Sequence, residues 1–276
     1  MMQKKRVILG LCIAAVLLWI LPGTLAHDEV SAKTQFLNNP WVYTAPLWIT
    51  VLGAVLEHYY VTSGKNKKTI QAAKKIFFII IVVVTAFVSL AIFYTSIQSN
   101  IQSWSKGPVH WHADFEIWNC NKKLDMVDPQ GFSNKVGTPV FHEHNDDRIH
   151  IEGDVMHQED ISLTNFFSVI GGKLDATSLV YPTIHGSVEM REGMRCNGKP
   201  AKLQIFVYTI TNPDFTKKWT MTQEKMQDPA AYLLSPYSQV PAGDCIIVEL
   251  SEEKAKTEHM CESYRIAMNK GELQWQ

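Results

Sequence analysis

Histidines in three short motifs are the residues of this sequence whose types and spacing could bind a metal ion. The motifs are His110-Trp111-His112, His142-Glu143-His144 and His150-Ile151-Glu152. In a β-strand, residues i and i+2 share a face and lie about 7 Å apart along the strand. Each motif would therefore place two donor side chains next to each other. Imidazole together with carboxylate suits Zn(II), Cu(II), Ni(II) or Fe(II).

We expect three or four ligands to come from a pool of five histidines, with two carboxylates as secondary ligands or as groups that orient the rings. The pool is His110, His112, His142, His144 and His150, and the carboxylates are Glu152 and Asp114. Asp146 and Asp154 add carboxylates near the same faces. Two other interpretations stay open: a solvated polar sheet face with structurally hydrogen-bonded histidines, and a pH-responsive cluster.

The elements that must position these residues are two strand units. Residues 110–118 alternate strictly, with Trp111, Ala113, Phe115 and Ile117 on one face and the polar side chains on the other, which predicts a half-buried strand. Val140–His144 and Arg148–Glu152 predict a hairpin around Asn145-Asp146-Asp147. If the two units are neighbours in one sheet, the five imidazoles converge on one patch.

The rest of the domain 108–276 predicts an α+β fold with a mostly antiparallel sheet and short helices. Further strands are expected at 124–127, 202–210 and 245–250, and an Asn197-Gly198 turn precedes the second of these. A short helix is expected over 162–170, with a Ser or Thr cap and a Gly171-Gly172 stop. A second one is expected over 228–234, with Pro229 in its first turn.

Charge and polarity divide the chain near residue 103. Residues 1–103 contain nine Lys/Arg and three Asp/Glu, a net +6, whereas residues 104–276 contain 17 and 24, a net −7. The whole chain has 46% hydrophobic and 19% charged residues. These values exclude a disordered tail, a collagen-like fibre and a globally basic nucleic-acid binder. The break is typical of a membrane part followed by a water-soluble part.

The N-terminal part predicts a signal and two membrane helices. Residues 1–26 have a basic start, about 15 apolar residues and a small-residue end, as in a secretory signal peptide, with an uncleaved signal anchor as the alternative. Residues 27–40 would follow outside the membrane. The expected membrane helices are 41–62, interrupted by Pro46, Glu57 and His58, and 76–98, which carries no charge.

Lysines between those helices indicate the topology. The loop 63–75 contains five lysines, and short lysine-rich loops stay in the cytoplasm. The chain would then leave the cytoplasm again through 76–98, pass a linker at 99–107 and continue in an exterior domain. A solvated linker is the alternative for the lysines. The expected location is the cytoplasmic membrane, multi-pass, with the C-terminal domain on the extracytoplasmic side.

Four cysteines lie in the expected exterior domain: Cys120, Cys196, Cys245 and Cys261. An even number in an oxidising compartment predicts two disulfides. Three pairings are possible. We expect Cys245 with Cys261, tying the tail to a strand, and Cys120 with Cys196, joining two turns.

These motifs together resemble families of uncharacterised prokaryotic cell-envelope proteins, membrane-anchored or secreted and rich in histidine. The matching positions are His110 and His112; then His142, His144, Asp147, His150 and Glu152; then Leu163, Thr164, Phe166 and Phe167; and lastly the segment 240–249 with Cys261. The resemblance covers roughly residues 108–262. It implies a shared envelope-facing domain and supplies neither a metal nor an activity.

The sequence favours a membrane-tethered domain that binds copper or zinc for capture or delivery. Its expected partners are the lipid bilayer and a metal-receiving or envelope protein, with no nucleic acid. One alternative is a metal-dependent envelope enzyme, which would need an open coordination position and a base such as Glu116 or Glu152. The other is a structural or adhesion protein. Binding is preferred over catalysis because the sequence offers donors without a nucleophile–base pair or a substrate motif.

Overall fold

The computed structural model describes residues 40–276 except 65, 131–132, 213–217, 229–231, 235–240 and 242. The chain divides into two compact units, Met1–Gln98 and Ser99–Gln276. The predicted signal segment 1–26 lies outside the described residues, as does the following segment up to residue 39.

Two long helices occupy the described part of the first unit: α1, Pro40–Thr62, and α2, Lys67–Gln102, whose last four residues belong to the second unit. Among the described residues, α2 is the one helix that is long and apolar enough to cross a membrane. The predicted helix over 41–62 is confirmed, but its prediction as a second membrane-spanning helix is not supported. Pro46, Glu57 and His58 interrupt the apolar run of α1.

The predicted cytoplasmic loop is much shorter than 63–75. Because α2 begins at Lys67, four of the five lysines lie in its first turns, and only residues 63–66 connect the helices. No proline or glycine interrupts residues 67–75, so the chain continues as helix there. Lys74 Nζ contacts Glu57 Oε1 of α1 at 2.6 Å.

The second unit is an α+β domain, as predicted. Its strands are β1, Pro108–Asn119; β2, Lys122–Leu124; β3, Val136–Gly137; β4, Phe141–Glu143; β5, Arg148–Asp154; β6, Lys173–Leu174; β7, Ser178–Thr183; β8, Gly186–Arg191; β9, Arg195–Cys196; β10, Lys199–Pro200; β11, Lys202–Ile210; β12, Trp219–Met226; β13, Cys245–Ser251; and β14, Leu273–Trp275. Its short helices are a 3₁₀ turn, Gln158–Ile161; α3, Leu163–Val169; and α4, Glu262–Asn269.

A nine-stranded mixed sheet forms the centre of this domain. Its order is β14-β12-β11-β13-β1-β5-β4-β3, with β2 beside β1. Most pairs are antiparallel, but β1 with β13 and β12 with β14 are parallel. A three-stranded sheet, β6-β7-β8, and the pair β9-β10 complete the fold. The order confirms that the two histidine-bearing strand units are neighbours.

One face of β1 is buried in the main core. Its residues Ala113, Phe115 and Ile117 are about 1% exposed, and Phe115 meets Phe166 of α3 with ring centroids 5.2 Å apart. The helix α3 begins at its predicted cap, where Ser162 Oγ accepts the Asn165 N–H. This packing fixes which face of β1 is apolar, so the alternate residues must face the other way.

The other face is only partly covered by helix. α4 packs across β11, β13 and the second half of β1, which are consecutive in the sheet. Its Tyr264 is fully buried and donates its hydroxyl hydrogen to the Tyr208 carbonyl oxygen. Ser263 of the same helix hydrogen-bonds Asp114. The first half of β1, together with β5 and β4, carries the histidines on this face.

Both disulfides form in the expected pairing. Cys120–Cys196 joins the β1–β2 turn to β9, and Cys245–Cys261 joins β13 to the start of α4. The second bridge holds α4 on the sheet.

One predicted helix is wrong where the structure describes it. Residues 232–234 are extended, and Leu233 forms a β-bridge with Ser162, while 229–231 lie outside the described residues. Backbone hydrogen bonds with the 3₁₀ turn and α3, such as Leu234 N–H to the Ile161 carbonyl at 3.1 Å, replace the helical ones. Buried Tyr232 and Leu234 are held in the main core by this extended backbone.

Candidate metal centre

Three strands place three imidazoles in one row across the sheet. His112 of β1 is paired with His150 of β5, and His150 is paired with His142 of β4. Directly opposite residues on one face have Cβ atoms roughly 4.5–5.5 Å apart, so their side chains meet. On the next rung, His110 lies opposite Glu152. The structure therefore brings all five predicted histidines and Glu152 together. We call these six residues the histidine cluster.

The inner pair of the cluster is His142 and His144. Their Nε2 atoms lie 3.2 Å apart, and the Nε2 of His142 lies 3.7 Å from an oxygen of Glu152. His142 is fully buried. These two histidines, His150 and Glu152 each offer one ligand atom, and the four atoms lie within 4.8 Å of one another.

The outer pair is His110 and His112. Their Nε2 atoms lie 3.1 Å apart, and the Nε2 of His110 lies 3.5 Å from the other oxygen of Glu152. The side chain of His110 is 65% exposed, whereas His142 of the inner pair is fully buried. Ligand atoms of His110, His112 and His150 form a second group within 4.8 Å. The cluster thus runs from the interior to the surface.

Neighbouring oxygens orient two of the rings. The Nδ1 of His144 lies 2.5 Å from the Asn134 carbonyl oxygen, which holds the proton on Nδ1 and leaves the Nε2 lone pair facing His142. The Nε2 of His150 lies 3.2 Å from Asp146 Oδ2, so the lone pair is on Nδ1. That Nδ1 is buried and has no hydrogen-bond partner among the described residues. Such outer contacts to carboxylates and carbonyls are typical of metal-ligating histidines.

Burial keeps two of the imidazoles neutral. Loss of solvent lowers the pKa of His142 to about 4, and nearby Lys135 adds to the effect. Burial, followed by the neighbouring charges of His150 and His110, lowers the pKa of His112 to about 4. Metal ligands must be deprotonated, so both rings are in the binding form at neutral pH. The Nδ1 of His142 is also a buried atom with no hydrogen-bond partner among the described groups.

Asp114, expected as a secondary ligand, lies away from the imidazoles. Its carboxylate accepts hydrogen bonds from Arg148 Nε at 2.6 Å and from Ser263. The cross-strand register pairs Asp114 with Arg148, and this ion pair locks β1 to β5 one rung beyond the His112–His150 pair. Asp114 therefore supports the strand alignment that the cluster needs.

A close backbone crossing holds β1 in position. Gly243 has a φ of 71°, and a Cβ on it would lie 1.6 Å from the carbonyl oxygen of His112. The next residue, Asp244, accepts the Asp114 N–H at 2.8 Å. Only glycine fits this crossing, because a side chain would push the histidine-bearing part of β1 away.

Sequence reasoning missed the Asn134 carbonyl, since a backbone oxygen leaves no signature in the residue type. The histidines outside the cluster are placed elsewhere. His157 and His185 are exposed, and His259 stacks on Trp118 with ring centroids 3.7 Å apart.

Comparison with known proteins adds no relative from which a role could be transferred. No protein-family model, curated protein or solved structure matches this chain. The functional interpretation therefore depends on the chemistry of the histidine cluster itself.

Proposed function

We propose that the second unit is a membrane-tethered, extracytoplasmic domain that binds a transition metal, copper or zinc, through the histidine cluster. The spacing of the donors carries this proposal. Two nitrogen ligands on a tetrahedral ion, with bonds of about 2.05 Å, lie about 3.3 Å apart. The Nε2 atoms of the inner and outer pairs lie 3.2 and 3.1 Å apart.

Hydrogen bonding alone explains the cluster less well. One ring of each pair can donate an N–H to the other, but this leaves the Nδ1 of His150, which carries the lone pair of that ring, buried without a partner among the described residues. A buried polar atom without a partner costs about 1–3 kcal/mol. Histidines that served only the fold would be expected to avoid that cost.

The exposure of the cluster supports capture or delivery. A partner or chelator in solution can reach His110 and Glu152, whose side chains are 65% and 36% exposed. In the inner pair, His142 is fully buried and His144 is partly exposed, so an ion that enters at the outer pair can be held further inside, against His142. A metal-receiving protein that presents its own soft or imidazole ligands is the proposed partner.

Two features support an extracytoplasmic location of the second unit: the lysines at the start of α2 and the disulfides. Lys67, Lys68, Lys74 and Lys75 lie at the start of α2, and lysines flanking a membrane helix favour the cytoplasmic side. The other end of α2 and the domain after it would then face outwards. Two disulfides fit an oxidising compartment. The resemblance to histidine-rich envelope proteins agrees with this placement.

Metal analysis of the full-length chain in detergent tests the proposal. After chelation and dialysis against Zn(II) or Cu(II), the protein should retain metal in at least stoichiometric amounts. The double variant His110→Ala with His144→Ala should lose it. A control with His157→Ala and His185→Ala, which changes two exposed histidines outside the cluster, should bind as the wild type does. Equal binding by both double variants, or wild-type affinity weaker than micromolar, would contradict the proposal.

A further inference from the structure

The histidine cluster contains more donors than one ion can use. Five imidazoles and one carboxylate are present, whereas zinc in a protein usually takes four ligands. In the inner pair, His142 is on β4 and His144 directly follows that strand; the outer pair is on β1, with β5 between the two strands. Adjacent strands are spaced about 4.8 Å apart, so these two strands are separated by about 10 Å.

The ligand atoms fall into two groups, and neither group contains both pairs. One holds the inner pair with His150 and Glu152, and the other holds the outer pair with His150. Two ligands of one ion cannot be further apart than about 4.2 Å, which is twice a bond length. Each pair therefore suits an ion of its own.

Glu152 lies between the two pairs and presents a different oxygen to each. Its Oε1 lies 3.5 Å from the Nε2 of His110, and its Oε2 lies 3.7 Å from the Nε2 of His142. The side chain is 36% exposed and forms no salt bridge with any lysine or arginine among the described residues. Arg148, the nearby cation on the same strand, is instead bound to Asp114.

We propose that the cluster holds two metal ions, one at each pair, with the Glu152 carboxylate bridging them and the Nδ1 of His150 as a further ligand of one of them. The proposal rests on the proposed metal-binding function and extends it to a dinuclear centre. The negative charge of Glu152, with that of Asp146 beside His150, offsets the repulsion between two cations.

Counting ions per chain tests the proposal on the full-length protein in detergent. Native mass spectrometry after loading with Zn(II) should show two ions on the wild type. The outer-pair variant, His110→Ala with His112→Ala, should retain one. Because alanine in place of the buried His142 would leave a cavity, the inner site is tested with His144→Ala, which should also leave one tightly bound ion.

The bridge is tested by Glu152→Gln, which keeps the size of the side chain but removes its charge. The variant should bind the second ion at least tenfold more weakly, whereas Glu159→Gln, at an exposed position outside the cluster, should not change it. Loaded with Cu(II), the wild type should give the spin-coupled electron paramagnetic resonance spectrum of two close ions. The outer-pair variant should give an uncoupled, single-ion spectrum.

The outcomes separate the two proposals. Two ions with a coupled spectrum support the dinuclear centre. One ion on the wild type overturns it and leaves the metal-binding function in place. Two ions without coupling overturn the Glu152 bridge. Absence of bound metal overturns both the dinuclear centre and the proposed function.

Discussion

Replacing His142 by leucine should stabilise the metal-free protein and remove the stabilisation that an ion at the inner pair supplies. His142 is fully buried, and its Nδ1 has no hydrogen-bond partner among the described groups. Leucine removes that unpaired atom and fills the space with an apolar side chain. It also removes a ligand of the inner pair. The same substitution should therefore act in opposite directions with and without metal.

The magnitude follows from two contributions in the metal-free state. Relief of the unpaired buried nitrogen is worth about 1–3 kcal/mol, and loss of the contact with His144 Nε2 costs about 1 kcal/mol. The net gain is about 1 kcal/mol, which for a domain of this size raises the melting temperature by about 2–4 °C. An ion at the inner pair, at 100 times its dissociation constant, stabilises the wild type by about 2.7 kcal/mol, and the variant lacks this contribution. The wild type should then melt above the variant.

Thermal unfolding of the full-length chain in detergent, followed by near-ultraviolet circular dichroism, measures both states. The order of the two melting temperatures should reverse between excess chelator and excess Zn(II). His185→Leu, at an exposed position outside the cluster, should leave both values within about 1 °C, since surface substitutions have small effects. A leucine variant that melts clearly below the wild type in chelator would show that the His142 imidazole is structural. An unchanged response to Zn(II) would exclude His142 as a ligand.

Four further results are expected. The metal-free protein should lose stability as the pH falls from about 6.5 to about 4. In the unfolded chain the histidines have a pKa near 6.5, whereas the pKa of His112 and of His142 in the folded protein is about 4. Between these two values the unfolded state binds more protons than the folded state, which favours unfolding. Urea unfolding in chelator at several pH values should show this loss, with a smaller one in His142→Leu. The four cysteines of the second unit should show at most traces of free thiol before reduction. Removing Cys120–Cys196, which closes a loop with a sequence separation of 76, should cost about 4.5 kcal/mol in the chain-entropy model, as measured by denaturant unfolding. A reporter fused after residue 105 should be active only if it is of an exported type, and activity of a cytoplasm-only reporter there would reverse the topology.

Local patterns in the sequence were sufficient to predict the strands that carry the histidines. The alternation over 110–118 and the turn at Asn145-Asp146-Asp147 correspond to β1 and to the β4–β5 hairpin. Both features depend on neighbouring residues only. The same reasoning missed the β7–β8 hairpin, although Ser178–Thr183 alternates between buried and partly buried positions, because Pro182 interrupts the strand pattern.

Long-range pairing could not be predicted from local patterns. The parallel pairing of β1 with β13 depends on chain segments far apart in sequence. Asp114 has the residue type and spacing of a ligand, yet the register places it opposite Arg148, and the ion pair removes it from the cluster. α4 was missed because it has only two turns and few apolar residues; the Cys245–Cys261 bridge and buried Tyr264 hold it.

The central position of β1 makes the histidine cluster depend on a strand that comes much later in the sequence. β1 is the first strand of the domain, yet one of its two edges is occupied by β13, which follows every other strand of the sheet except β14. A chain that stops before residue 243 would carry all six residues of the histidine cluster but lack that neighbour and the Gly243 crossing. Sheets assembled from such distant segments form slowly. The donor geometry of the histidine cluster should therefore be complete only after the segment from Gly243 through β13 has joined β1, so that the proposed metal binding would report an assembled sheet.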